Sequence, residues 1–300
     1  EDLSQKSAGV AGAKLKKEGH PTSGRNTLRS RTYDAIRRLR LDPDVEYAHS
    51  NYRLKPRLIP NDTSYPIQWH YNQVALEEAW DLTTGSDSII VAVIDTGVVS
   101  HPDLQARTIA GYDFISDPAV AGDGNGRDPD PTDAGDDANG PGIHSYHGTH
   151  VAGTIGAVTN NGIGVAGVTW QTKIMPLRVL GKGGGSSFDL AEAIKYAAGL
   201  PNLSGTLPPQ RAHVVNMSLS ACAQNPTERA AVEAARSVGI ILVAAAGNNR
   251  GGEPGCPPGA LEFPASYDGV VSVAALDILQ SPARYSSFGS RIVVAAPGER

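Results

Sequence analysis

From residue 88 onward, short uninterrupted apolar runs alternate with longer stretches whose apolar residues recur every three or four positions. The runs SIIVAVID (88–95), KIMPLRVL (173–180), HVVNMSL (213–219), GIILVAAA (239–246) and GVVSVAAL (269–276) predict strands. They do not alternate polar with apolar residues, so both of their faces are buried, as in a parallel sheet covered by helices. Between them, SFDLAEAIKYAAGL (187–200) and PTERAAVEAARSVG (226–239) predict helices, with Gly239 at the C-cap of the second. The expected fold class is α/β: a mostly parallel sheet with helices on both faces. Ligands in such sheets gather at the carboxyl ends of the strands, so the loops that follow each strand are where chemistry is to be sought.

The first 58 residues read differently. RTYDAIRRLRL (31–41) places Tyr33, Ile36 and Leu39 on one face of a short helix that Asp42-Pro43 stops, and VEYAH (45–49) alternates like a half-buried strand. The Pro-containing stretch RLKPRLIPNDTSYP (53–66) is the natural linker. Charge sharpens the division. The net charge is −5, but residues 1–58 carry 13 Lys and Arg against 7 Asp and Glu, a net of +6. The rest carries 13 against 24, a net of −11. A basic lobe could grip nucleic acid, yet its cations are not interleaved with aromatics, and two lobes of opposite sign that dock on each other fit better. No apolar run reaches the length of a membrane helix. No basic-then-apolar leader follows Glu1, so the chain is expected to begin after a removed signal peptide or within a longer protein. Cys222 and Cys256 lie in polar loops rich in Gly, Pro and Ser, where a disulfide fits better than two buried free thiols.

Three loops carry candidate chemistry. Asp95-Thr96-Gly97 directly follows an apolar run; a carboxylate there caps a helix or else fixes a histidine. HSYHGTHVAGT (144–154) spaces His144, His147 and His150 by three residues, and a zinc site is the alternative to proton chemistry. Hydrolytic zinc motifs usually add a nearby carboxylate base, and none stands here. The small residues Gly148, Ala152, Gly153 and Gly156 point instead to a helix packed tightly on the sheet, with a histidine at its start. AAAGNN (244–249) places Asn248 at a sharp turn, either as a turn residue or as a donor to a developing oxyanion.

Taken in order, VAVIDTGV, HPDL, HGTHVAGTIGA, VLGKGGG, VVNMSL, VAAAGNN and YSSFGSRIVVAAPG resemble the motifs of the subtilases, the subtilisin-type serine proteases. The secreted bacterial branch is the most similar, judging by NDTSYPIQWHY (61–71), the acidic loop and the cysteine pair. The resemblance implies that Asp95 orients and stabilises the imidazole of His147, that His147 is the general base, and that Asn248 is an oxyanion donor. It makes His150 structural. Substrate would lie as an added strand between Gly183, Gly184, Gly185 and Ser218, Leu219, Ser220, with Ala245, Ala246 and Gly247 walling the primary specificity pocket. Where the family usually has glycine after Ser-Leu, this chain has Ser220, which leaves the side-chain preference open.

Further expectations follow from the same resemblance. Residues 1–58 are similar to the end of an inhibitory propeptide, through DPDVEYAHSNYRLKP (42–56), with residues 59–300 as the peptidase domain and cleavage within 56–62. Asp103 and Asn161, with carbonyls of Val158, Ile163 and Val165, match a family calcium site. Asp123, Asn125, Asp128, Asp130 and Asp133 form a second calcium candidate, the alternative being a solvated acidic loop. The family's nucleophile lies in GTSMAxP beyond the AAPG at 295–298, and no GTS string occurs in the 300 residues, so that serine is expected beyond Arg300. The expected protein is a secreted endopeptidase precursor acting on proteins or peptides. The alternatives are a split or non-catalytic peptide-binding relative and, from another class, a His-ligated zinc hydrolase.

Overall fold

In the computed structural model, residues 24–51, 58–252, 256–258, 260 and 262–300 are described. The chain divides into two units, Glu1–Pro56 and Arg57–Arg300. The first is built on α1 (Gly24–Leu39), which begins earlier than the spacing predicts and stops before Asp42-Pro43. Arg37 and Arg38 occupy its last turn, where cations complement the helix dipole. Residues 45–49 are irregular, with one bend at Glu46, and do not form the expected strand. A strand needs a partner ladder, and the described residues of this unit offer none. Arg40 Nε instead donates to the carbonyl of Ala48 at 2.8 Å and ties the segment back to the helix end.

In the second unit, short helices α2 (His70–Gln73) and α3 (Leu76–Trp80) precede β1 (Ile90–Asp95). There follow β2 (Tyr112–Asp113), α4 (Pro118–Ala121), α5 (His147–Gly156) and β3 (Lys173–Arg178). The hairpin β4 (Leu180–Gly181)–β5 (Gly184–Gly185), α6 (Ser187–Ala197) and β6 (Val214–Met217) come next. The unit closes with α7 (Pro226–Ser237), β7 (Ile241–Ala245), β8 (Val270–Leu276) and β9 (Val294–Pro297). Among the described residues, seven strands form one sheet in the order β2-β3-β1-β6-β7-β8-β9, and every neighbouring pair is parallel. The five strands expected from the apolar runs are all present; the very short β2, β4 and β5 carry too few residues to show a period.

β1 is buried at every position, and its two faces serve different layers. Ile90, Ala92 and Ile94 join a core with Ala191 and Ile194 of α6 and Ala231, Val232 and Ala235 of α7. Val91 and Val93 join Ala152 of α5 and Ile174 on the opposite face. That double burial is the reason the run lacks alternation. Polar caps fix the helix starts: Ser186 accepts from Asp189 N at 3.0 Å, and Asn225 from Thr227 N at 2.8 Å ahead of Pro226. Gly239, at φ +88°, ends α7; its N–H bonds to Arg236 O, and that of Ile240 bonds to Ala235 O.

The order of strands fixes where a site belongs. β3 and β2 lie to one side of β1, and β6, β7, β8 and β9 to the other. The chain therefore reverses its direction of travel between β1 and β6, and the crevice at their carboxyl ends is the switch point where open α/β sheets bind ligands. In register, Ile94 pairs with Met217 and Met217 with Ala244. Asp95, Ser218 and Ala245 therefore emerge side by side at that edge.

Candidate active site

Asp95 is the last residue of β1 and is fully buried. His147 opens α5, with Nδ1 at 2.8 Å and 2.9 Å from the two carboxylate oxygens of Asp95. A carboxylate only accepts, so Nδ1 carries the proton and Nε2 keeps its lone pair free for chemistry. The hydrogen bond to Asp95 raises the His147 pKa above the ordinary 6.5; burial opposes this, and the charges of Asp95, Asp136 and Asp133 add to it. The imidazole side chain remains 47% exposed, so one edge of the pair is locked and the other open.

The β1 loop holds the helix start in place. Thr96 N donates to Asp95 Oδ1 at 2.8 Å. Thr96 Oγ1 donates to the buried Asp133 at 2.6 Å and accepts the N–H of Gly148 at 2.9 Å. Gly148 has no alternative: a Cβ there would fall 2.2 Å from the carbonyl oxygen of Gly97. Ser145 joins from the other side, accepting the N–H of His147 at 3.2 Å and donating to Asp136. The positioning roles of Thr96, Asp133 and Asp136 were not read from the sequence. The hydroxyl in Asp-Thr-Gly is the only local signal for them.

The three spaced histidines go separate ways. His144 Nδ1 accepts the N–H of Asp137 at 3.2 Å, His147 meets Asp95, and His150 lines an apolar cleft with Trp69 and Leu104. Among the described residues no three His, Cys, Asp or Glu side chains converge so as to hold a metal ion. The arrangement is that of a proton-transfer pair, without a zinc ligand set.

Asn248 follows β7, exposed, and its amide has no hydrogen-bond partner among the described residues. Its neighbour Asn249 is buried and donates through Nδ2 to the carbonyls of Cys256 at 3.0 Å and Pro257 at 3.2 Å. Cys222 and Cys256 form the disulfide, with Cα atoms 5.6 Å apart. The turn that carries Asn248 is thus moored to the bridge. Gly247 takes φ +103°, and a Cβ there would fall 1.8 Å from a Glu262 carboxylate oxygen. Ser218, Leu219 and Ser220 leave the end of β6. Ala221 then pairs with Phe263 in an antiparallel bridge, which brings Ser220 Oγ to within 2.6 Å of Glu262. Gly184 and Gly185 pair through the hairpin with Gly181 and Leu180, and Gly183, at φ +76°, makes its turn.

The metal candidates differ in form. Asp103 is buried and accepts from Asn161 Nδ2 at 2.7 Å and from Val165 N at 2.9 Å, while its own carbonyl takes the N–H of Val158. Ile163 N donates to Asn161 Oδ1, so the 158–165 segment wraps these two side chains. Asp62, unread in the sequence, fastens the same segment by accepting from the N–H groups of Asn160 and Asn161. The second set does not converge. Asp123 meets the buried Arg178 at 2.8 Å, Asn125 and Asp128 bond to each other, and Asp130 accepts from Thr132. Asp133 serves Thr96. These carboxylates brace their own loop against N–H groups and Arg178.

A buried aspartate thus fixes a histidine at the carboxyl edge of a parallel sheet, where Ser218 and Ala245 also emerge. Comparison with known proteins gives the family. The family model described as Subtilase family matches residues 86–300, and the chain belongs to that family. It is 44% identical over 278 residues to an extracellular protease of Xanthomonas campestris, covering 88% of this chain and 46% of that protein. It is 38% identical over 276 residues to an extracellular basic protease of Dichelobacter nodosus, covering 86% and 44%. Among solved structures, a protease of Pseudoalteromonas arctica superposes with a TM-score of 0.73 at 43% identity, covering 80% of this chain and 72% of that one. The chain spans about half the length of these two curated relatives.

Proposed function

We propose that residues 59–300 are the greater part of the catalytic domain of a secreted serine endopeptidase, made as a precursor. The observation that carries this reading is the contact of His147 Nδ1 with the fully buried Asp95. Two relatives named extracellular proteases support secretion and a protein substrate. In the reaction, a serine supplied from outside these 300 residues attacks the peptide carbonyl while His147 Nε2 takes its proton. Asp95 holds the tautomer and stabilises the imidazolium that forms. Asn248, whose amide has no partner among the described residues, stabilises the oxyanion. His147 then returns the proton to the leaving amine, and water, deprotonated by the same nitrogen, releases the acyl group. Substrate backbone would pair beside Gly183–Gly185 and Ser218–Ser220.

Two further elements belong to this reading. Residues 1–58 act as the inhibitory propeptide, drawn to the acidic catalytic domain by their charge. Asp103 and Asn161 would hold a calcium ion with the carbonyls of Val158, Ile163 and Val165. A glycine at 164, where a Cβ would lie 2.1 Å from Asp103 Oδ2, lets the backbone close around that carboxylate.

The test is hydrolysis of casein and of fluorogenic peptides by the whole product of the gene, alongside His147→Ala. Cleavage by the parent and its loss in the variant are expected. A parent that binds peptides without cleaving them would replace this reading with a non-catalytic peptide binder.

A further inference from the structure

Glu262 has no role in the chemistry described so far, yet it lies against the proposed substrate wall. It is 5% exposed. Its carboxylate occupies the space a Cβ on Gly247 would need, accepts Ser220 Oγ at 2.6 Å, and accepts Ser287 Oγ on its other oxygen. Both wall segments therefore touch it: Gly247 follows β7, and Ser220 follows β6. Its position is fixed from behind by the Ala221–Phe263 bridge and by Ser266 N, which donates to the Glu262 carbonyl at 3.0 Å.

Its charge has no counter-ion among the described residues. A buried carboxylate is normally paired with a cation, because hydroxyl donors alone do not replace its hydration. Two other buried carboxylates near this edge have such partners, Asp95 in His147 and Asp113 in Arg178 at 2.6 Å, whereas Asp133 is held by Thr96 Oγ1 and the N–H of Gly135. Among the described residues no Lys, Arg or His lies within ion-pair distance of Glu262. Its two partners, Ser220 and Ser287, are single-proton donors that leave acceptor capacity on both oxygens. Ser220 itself is exposed, so the carboxylate is one hydroxyl removed from the surface where substrate would lie.

We propose that Glu262 forms the floor of the primary specificity pocket and selects substrates with a basic side chain, Arg or Lys, immediately before the scissile bond. This rests on the peptidase reading above. The guanidinium or ammonium group supplies the missing cation, and Ser220 and Ser287 orient the carboxylate toward it. The presence of Ser220 at the wall, where a smaller residue would leave more room, is then accounted for: its hydroxyl holds the floor carboxylate in place.

The experiment compares kcat/KM for two otherwise identical fluorogenic peptides, one with Arg and one with Phe before the scissile bond. It uses the whole gene product and Glu262→Gln, an isosteric change that retains hydrogen bonding to both serines. The parent is expected to favour the Arg peptide, and the variant's Arg-to-Phe ratio of kcat/KM to fall at least about 30-fold. Benzamidine should inhibit the parent competitively and the variant poorly. A parent that prefers Phe and ignores benzamidine overturns the proposal and leaves the peptidase reading intact, whether or not the variant folds. An Arg-to-Phe ratio unchanged in a folded variant also overturns it. If neither peptide is cleaved and His147→Ala changes nothing, the peptidase reading itself falls, and this proposal with it.

Discussion

The disulfide offers the cleanest test of how the scaffold steadies the site. Cys222 and Cys256 are separated by 34 positions, and the bridge removes the loop-closure freedom of that segment from the unfolded chain. On the chain-entropy model, a loop of that length is worth about 3.8 kcal/mol at 25 °C. A domain of this size shifts its Tm by about 2–4 °C per kcal/mol, so replacing both cysteines by alanine is expected to lower Tm by roughly 8–15 °C. Thermal unfolding should be followed in a His147→Ala background, since an active peptidase digests its own unfolded chains. A fall of less than about 3 °C would refute the loop-constraint argument. A second consequence reaches the chemistry. The bridge holds the carbonyl of Cys256 against Asn249 Nδ2, and Asn249 adjoins Asn248. In the active protein, well below either Tm, the same double variant should lose kcat with little change in KM, because the oxyanion forms only in the transition state. An unchanged kcat would show that the turn holds Asn248 without the bridge.

Asp95→Asn should cost about 10⁴-fold in kcat, because an amide permits the wrong imidazole tautomer. It should also move the acidic limb of the rate profile to lower pH. His147 must be neutral to act, and Asp95 is the main reason its pKa lies above 6.5; an unmoved limb would contradict that cause. The same raised pKa means that the protonated pair stabilises the fold fully below about pH 6.5. That contribution disappears as pH climbs through the folded-state value, which parent and His147→Ala melting curves across pH 5–9 would reveal. Gly148→Ala forces a methyl group onto the Gly97 carbonyl and should lower stability by about 1–3 kcal/mol, with kcat/KM falling at least about tenfold as the helix start shifts. Calcium removal should lower Tm in the parent but not in Asp103→Ala, and equal shifts would place the ion elsewhere. Separately produced residues 1–58 should inhibit the catalytic domain, more weakly as salt rises; inhibition indifferent to salt would remove the electrostatic part of that argument.

How much of this was legible in the sequence depended on whether the information was local. The five long strands were, because burial on both faces leaves continuous apolar runs such as IVAVID, and Asn225-Pro226 and Gly239 mark the ends of α7 by local backbone chemistry. The half-buried strand expected at 45–49 was not formed. Alternation describes a possible face, but pairing depends on a neighbouring ladder that the short segment itself cannot specify. Asp95 and His147 were readable because each sits inside a motif, and parallel topology then brings two strand ends and a helix start to one edge.

Long-range partners were the part the sequence concealed. Asp133 reads as one of several carboxylates in an acidic loop, and only the fold shows it accepting from Thr96, 37 residues earlier. Glu262 is more hidden still, since its neighbours Ser220 and Gly247 arrive from two other strands. The bridge between Ala221 and Phe263 is what makes them meet. Both cases follow one physical rule. A buried carboxylate must find donors wherever the fold provides them, so its partners are set by topology, and its own flanking residues carry little trace of them. The two acids differ in the kind of donor each finds: Asp133 accepts a buried hydroxyl from Thr96 and a backbone N–H from Gly135. Glu262 accepts two serine hydroxyls, and one of those serines, Ser220, is exposed at the proposed substrate wall, so this carboxylate lies one side chain from the surface while Asp133 is tied only to its own loop and the helix start.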